Sequence, residues 1–109
     1  MSIQSMPLEQ IARLRMKYPD KVPTYITKLK GSSAPDIIKS KFLVPADIPL
    51  SSFMYVIRKW IKVKPEQAIF FFINDTMPSM TMTMEQLYFA HKTETGVLEM
   101  TYSAENTFG

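Results

Sequence analysis

The chain has 109 residues, 46% of them hydrophobic and 12% aromatic, and no cysteine, which is enough for one core and too little for two. No apolar run approaches the roughly 18 residues that cross a bilayer, so the expectation is one soluble folded domain. The net charge of +3 conceals an asymmetry: residues 1–64 hold twelve Lys and Arg against four acids (+8), and residues 65–109 hold one Lys against six acids (−5). A basic half of this kind attracts acidic peptides, anionic lipid headgroups or nucleic acid, because all three answer to the same long-range field. No charged leader with an apolar segment and cleavage site opens the sequence, and without cysteine there is no disulfide reason for secretion, so a cytoplasmic or nuclear protein is expected.

In PLEQIARLRMKYPD, Leu8, Ile11, Leu14 and Tyr18 recur near helical spacing, Pro7 is tolerated in a first turn and Pro19 bars continuation, which predicts a short helix. KVPTYITKLKG predicts a strand in which Pro23 removes a ladder donor and implies a bulge or irregular start. After the loop GSSAPD, SKFLVP predicts its antiparallel partner, closed by Pro45. Phe53, Val56, Ile57, Trp60 and Ile61 then fall at i, i+3, i+4, i+7 and i+8, the stripe of an amphipathic helix with Ser51 or Ser52 placed to cap it. AIFFFIN is a continuous apolar run of strand length, which predicts a buried central strand. Thr83 and Gln86 have capping-box spacing ahead of MEQLYFAH. In VLEMTYS, Leu98, Met100 and Tyr102 share one face and Val97, Glu99 and Thr101 the other. This order is that of an α+β ubiquitin-like β-grasp, a mixed four-stranded sheet wrapped on one long helix.

The inventory argues against catalysis. There is no cysteine nucleophile, no Gly-rich phosphate loop and no evident carboxylate pair. The single histidine, His91, closes a short helix where its charge suits the C-terminal dipole. Met77, Met80, Met82 and Met84 offer soft sulfur that suits Cu(I), but methionine as a filler of irregular gaps accounts for them without a metal, and zinc would lack ligands. No cofactor is expected. Nucleic-acid binding would need aromatic residues interleaved with the charges on an open sheet face, and few stand there.

KYPDKVPTYITK, KFLVPADIPLSSFMYVIRKWI, AIFFFIND and MEQLYFAHK, in this order and followed by a terminal aromatic residue and glycine, resemble the autophagy ubiquitin-like modifiers. That family includes the GABA type A receptor-associated protein and the microtubule-associated light-chain proteins. The resemblance runs from about Lys17 to Gly109 and implies one ubiquitin-like domain over 1–109, with an N-terminal helical extension at 1–19 and a flexible conjugation tail at 104–109.

The resemblance also implies a reaction at Gly109, whose carboxylate is adenylated, passed as a thioester through cysteines of activating and conjugating enzymes, and joined as an amide to phosphatidylethanolamine. A residue without a side chain suits such narrow channels. A deconjugating cysteine protease belongs to the same implied cycle. So do a cytoplasmic pool, an autophagosome-membrane pool and passage to the vacuole or lysosome.

A second implied activity is docking of cargo receptors and adaptors through short aromatic-x-x-aliphatic motifs with acidic flanks, which extend the sheet along SKFLV. By resemblance, Gln10, Leu14, Pro23, Lys41, Leu43 and Val97 line an aromatic pocket, and Phe42, Val44, Pro45, Ile48, Phe53 and Val56 an aliphatic one. Lys21, Lys39 and Lys41 would meet the acidic flank. For Phe53 and Val56 a place in the core is the competing expectation. The chain departs from the family in a shorter N-terminus, in Gln10 and Ile38 where relatives often carry acids, in Val97 for a common phenylalanine, and in Trp60 for a basic residue. A monomer is expected, and a relative that docks peptides but has lost lipidation is the alternative.

Overall fold

A computed structural model describes residues 2–106. A 3-10 turn at Ile3–Ser5 leads into α1 (Leu8–Lys17), β1 (Lys21–Lys28), β2 (Lys41–Pro45), α2 (Leu50–Ile61), β3 (Phe70–Phe72), α3 (Met84–His91) and β4 (Leu98–Ser103). The sheet order is β2-β1-β4-β3. β1 runs antiparallel to β2 and parallel to β4, and β3 runs antiparallel to β4, which is the mixed four-stranded sheet of the β-grasp.

Strand alternation divides the side chains between two faces. Val22, Ile26, Val44, Leu98, Met100 and Tyr102 share a core with Phe53, Ile57 and Ile61 of α2 and Leu87 of α3. The opposite face carries α1, which packs on β1, and there Ile11 and Val97 are completely buried. Val97 is thus as inaccessible as Leu98, although the two point to opposite faces. Among the described residues no helix is long and apolar enough to cross a membrane.

Three local expectations are corrected. Pro23 causes no bulge: it stands in unbroken register opposite Leu43. The Ile26 N–H donates to Ser40 O at 2.8 Å, so by alternation residue 23 faces the β4 side, where pairing begins only at Thr24, and no ladder donor is missed. The run AIFFFIN does not make a central strand, because β3 spans only Phe70–Phe72 and lies at the sheet margin. Its apolarity reflects burial on both faces, since Phe71 and Phe72 are both enclosed. Finally, Pro49 rather than Ser51 or Ser52 is the N-cap of α2, and it caps without a side chain. The Leu50 and Ser51 N–H groups donate instead to Met82 O and Met80 O. The Thr83–Gln86 capping box is present.

The methionines at 77–84 are divided among environments. Met84 is sealed in the core, Met82 packs against it, and Met77 and Met80 line an apolar hollow with Leu50, Met54 and Phe70. His91 lies in the last turn of α3, its Nδ1 3.2 Å from the Asn74 Nδ2.

Candidate functional site: a groove across the β2 margin

β2 is an edge strand, so one row of its backbone groups has no strand partner. The Ser40–Ile26 bond fixes which row: Phe42 and Val44 direct their N–H and C=O inward to β1, and Lys41 and Leu43 direct theirs outward. Side chains alternate as well. Val44 points into the core around α2, which places Phe42 on that face and Lys41, Leu43 and Pro45 on the face that carries α1.

A groove of about 530 Å³ straddles this margin. Leu14 of α1 and Tyr18 at its C-cap stand with Leu43 on one flank, and Val56 and Trp60 of α2 stand with Phe42 on the other. Both flanks are apolar, and the strand between them offers the Leu43 N–H and C=O, to which no hydrogen bond is made among the described residues. Cationic groups line the same end: Lys39 sits with its ammonium 4.4 Å from the centroid of the Trp60 ring, and Lys41 is half-buried beside it. Neither forms an ion pair among the described residues.

Of the residues expected in the aromatic pocket, Leu14, Lys41 and Leu43 line this groove. Gln10 is exposed on α1 away from it, Pro23 is buried in β1, and Val97 is 0% exposed. Of those expected in the aliphatic pocket, Phe42 and Val56 line it, Val56 being 42% exposed. Phe53, at 3% exposure, belongs to the core and supports the groove from beneath through an edge-to-face contact with Phe42 at 5.5 Å. Val44 is core, Ile48 is packed against it, and Pro45 lies with Lys21 in a separate polar hollow near Asp47 and Glu85. The acidic-flank set therefore divides: Lys39 and Lys41 are at the groove, and Lys21 is not.

Sequence reasoning missed Ile3, Gln4, Met6 and Tyr18, all of which line the groove. Ile3 and Met6, apolar and three apart, were the available signal, and a 3-10 turn of three residues is too short for periodicity to make it plain. Gln4 is placed by hydrogen bonds. Its Nε2 donates to Lys41 O at 2.6 Å, and its Oε1 accepts from the N–H groups of Ser40 and Lys41 at 3.0 and 3.1 Å. The edge expected to be open is therefore partly occupied.

Where the chain leaves β4, the Ala104 N–H donates to Ser32 Oγ at 3.0 Å, and the Glu105 carboxylate accepts from Ser32, Ser33 and Ser103. These bonds hold the Glu105 carboxyl down at about 2, the Ser33 hydroxyl and N–H contributing most. Phe108 and Gly109 lie outside the described residues.

The family model for autophagy protein Atg8, ubiquitin-like, matches residues 7–109. Autophagy-related protein 8a of Arabidopsis thaliana is 49% identical over 109 residues, which cover 96% of this chain and 89% of that protein. Autophagy-related protein 8B of Oryza sativa subsp. japonica is 50% identical over 97 residues, with 89% and 82% covered. Among solved structures, Trypanosoma brucei ATG8 superposes with a TM-score of 0.82 at 33% identity, covering 98% of this chain and 96% of that one. Plasmodium falciparum Atg8, in complex with a P. falciparum Atg3 peptide, gives 0.81 at 29% identity, with 97% and 98% covered. The fold, its edge groove and these matches over nearly the whole length agree: the chain belongs to the Atg8 family of ubiquitin-like autophagy proteins.

Proposed function

We propose that this protein is a conjugated autophagy modifier without catalytic chemistry of its own, joined through Gly109 to phosphatidylethanolamine and serving on the autophagosomal membrane as a dock for short linear motifs. The observation that carries the docking half is the groove that flanks an edge strand on both faces. A peptide added as a strand along β2 projects residues three apart to opposite faces, so an aromatic side chain and an aliphatic one in aromatic-x-x-aliphatic spacing reach the two flanks together. Main-chain bonds to Leu43 give affinity common to many sequences, and the flanks select the anchors. Burying each anchor contributes roughly 1.5–3 kcal/mol before association costs, which suits exchangeable partners. Lys39 and Lys41 complement an acidic flank. The Atg3 peptide on the P. falciparum relative supports peptide docking as a property of this fold, and extends the partners to conjugating enzymes as well as cargo receptors and adaptors.

The conjugation half rests on family membership. It entails activating and conjugating enzymes, a deconjugating cysteine protease, and a cytoplasmic pool that exchanges with the autophagosome and ends in the vacuole or lysosome. The test is incubation with those enzymes, ATP and phosphatidylethanolamine liposomes. The expected result is a lipid-linked product from the native chain and none from Gly109→Ala. Peptide titration with Leu43→Ala and Lys41→Ala tests docking, and unchanged affinity in both removes the groove. Docking without lipid transfer would leave a peptide-binding module alone.

A further inference from the structure

Gln4 meets the β2 margin in a particular way. A residue of a paired strand presents one N–H and one C=O to its neighbour, and the Gln4 carboxamide presents the same pair: Nε2 to Lys41 O at 2.6 Å and Oε1 to the Lys41 N–H at 3.1 Å. The backbone around Gln4 adds a second tie, since the Lys41 ammonium donates to Gln4 O at 3.1 Å and to Met6 O at 2.7 Å. Ile3 and Met6 line the groove together with Gln4. Residues 3–6 thus satisfy the outward groups of Lys41, one of the two residues that offer them, and hold one of the two groove cations.

We propose that this N-terminal turn is an internal occupant of the docking groove, with Gln4 standing in for one residue of an incoming strand, so that the turn gates peptide access. The inference rests on the docking reading above and adds its regulation. A peptide that pairs along the whole margin displaces Gln4, and the Lys41 ammonium is released from two carbonyls to face the peptide's acidic flank. Binding and detachment of the turn are then linked, and the apparent affinity is the intrinsic affinity reduced by the fraction of molecules in which the turn is open. The contacts are a few part-buried hydrogen bonds offset by the entropy of ordering a terminal segment. The closed form is therefore favoured by a modest factor, and a ligand can overcome it.

The test uses the full chain and an acid-flanked aromatic-x-x-aliphatic peptide. Gln4→Ala, and separately the double variant Ile3→Ser/Met6→Ser, should bind the peptide about 3- to 10-fold more tightly than the native chain, through a faster association rate. In the peptide-free protein, the Ser40 and Lys41 amides should exchange with solvent faster in Gln4→Ala than in the native chain. Equal or weaker binding by Gln4→Ala, with the native chain binding normally, overturns the gate and leaves the docking site standing. Unchanged exchange at Lys41 likewise overturns it. If neither protein binds the peptide, the docking reading fails and the gate with it.

Discussion

Glu105 is exposed, yet its carboxylate gathers donors from Ser32, Ser33 and Ser103, and its pKa falls from 4.5 to about 2, the Ser33 bonds leading. Because the folded pKa lies below the unfolded one, the stabilisation is complete above about pH 4.5 and is lost as the pH falls toward 2. Glu105→Gln should therefore melt below the native protein at neutral pH, and the gap should close across that acid window in parallel thermal melts. Gly96 is fixed by a different constraint. Its φ is +82°, and a Cβ there would sit 3.3 Å from the Ala12 Cβ of α1. Gly96→Ala is expected to lose about 1–2 kcal/mol for the left-handed backbone, with crowding against α1 adding to it, measurable by denaturant unfolding. The neighbouring Tyr88 hydroxyl, which donates to Gly96 O at 2.7 Å, ties the same turn to α3.

At the scale of elements, the two helix starts contrast. α3 begins with a reciprocal box in which Thr83 Oγ1 accepts from the Gln86 N–H at 3.1 Å and Gln86 Oε1 accepts from the Thr83 N–H at 2.9 Å. Thr83→Ala should cost about 1 kcal/mol. That loss corresponds to a Tm about 4–8 °C lower in a domain of this size. α2 has no such box, and its first donors are met by the carbonyls of Met80 and Met82 in the segment before α3. A loop distant in sequence does there what Ser51 and Ser52 were expected to do. The same contrast explains β3: an apolar run reports that both faces are covered, and a strand at the margin gains that cover from helices and loops that local pattern does not register. α1 is held to α3 by Arg15, whose guanidinium lies 4.7 Å from the Tyr88 centroid and 3.0 Å from Glu85 Oε1.

Across the whole molecule the basic half is partly consumed internally. Arg15 pairs with Glu85, Lys28 with Asp36, and Arg58 donates to the carbonyls of Lys64, Pro65 and Gln67. Lys41 donates to the Gln4 and Met6 carbonyls and Lys39 lies over the Trp60 ring, so among the described residues neither groove lysine meets a carboxylate. An acid-flanked peptide should therefore associate several-fold more slowly as salt rises from about 0.05 to 0.5 M, where the Debye length shortens to a few ångströms. A peptide with neutral flanks should show little change, and equal salt dependence of the two in stopped-flow traces would remove these lysines from recognition. Much of this was legible in the chain alone: the Phe53–Ile61 stripe, the alternation of Leu98, Met100 and Tyr102 and the Thr83 box are set by short-range periodicity and spacing, so local sequence determined the elements and their order. Half of the groove was legible too, in Leu14, Lys39, Lys41, Phe42, Leu43 and Val56. Which pocket candidates are surface and which are core, as with Val97, Val44 and Phe53, was decided only by which faces α1 and α2 cover. The seat of Gln4 on Lys41, 37 residues away, was likewise decided only in the folded molecule, because a hydrogen bond between distant segments exists once the sheet has fixed which backbone groups face outward.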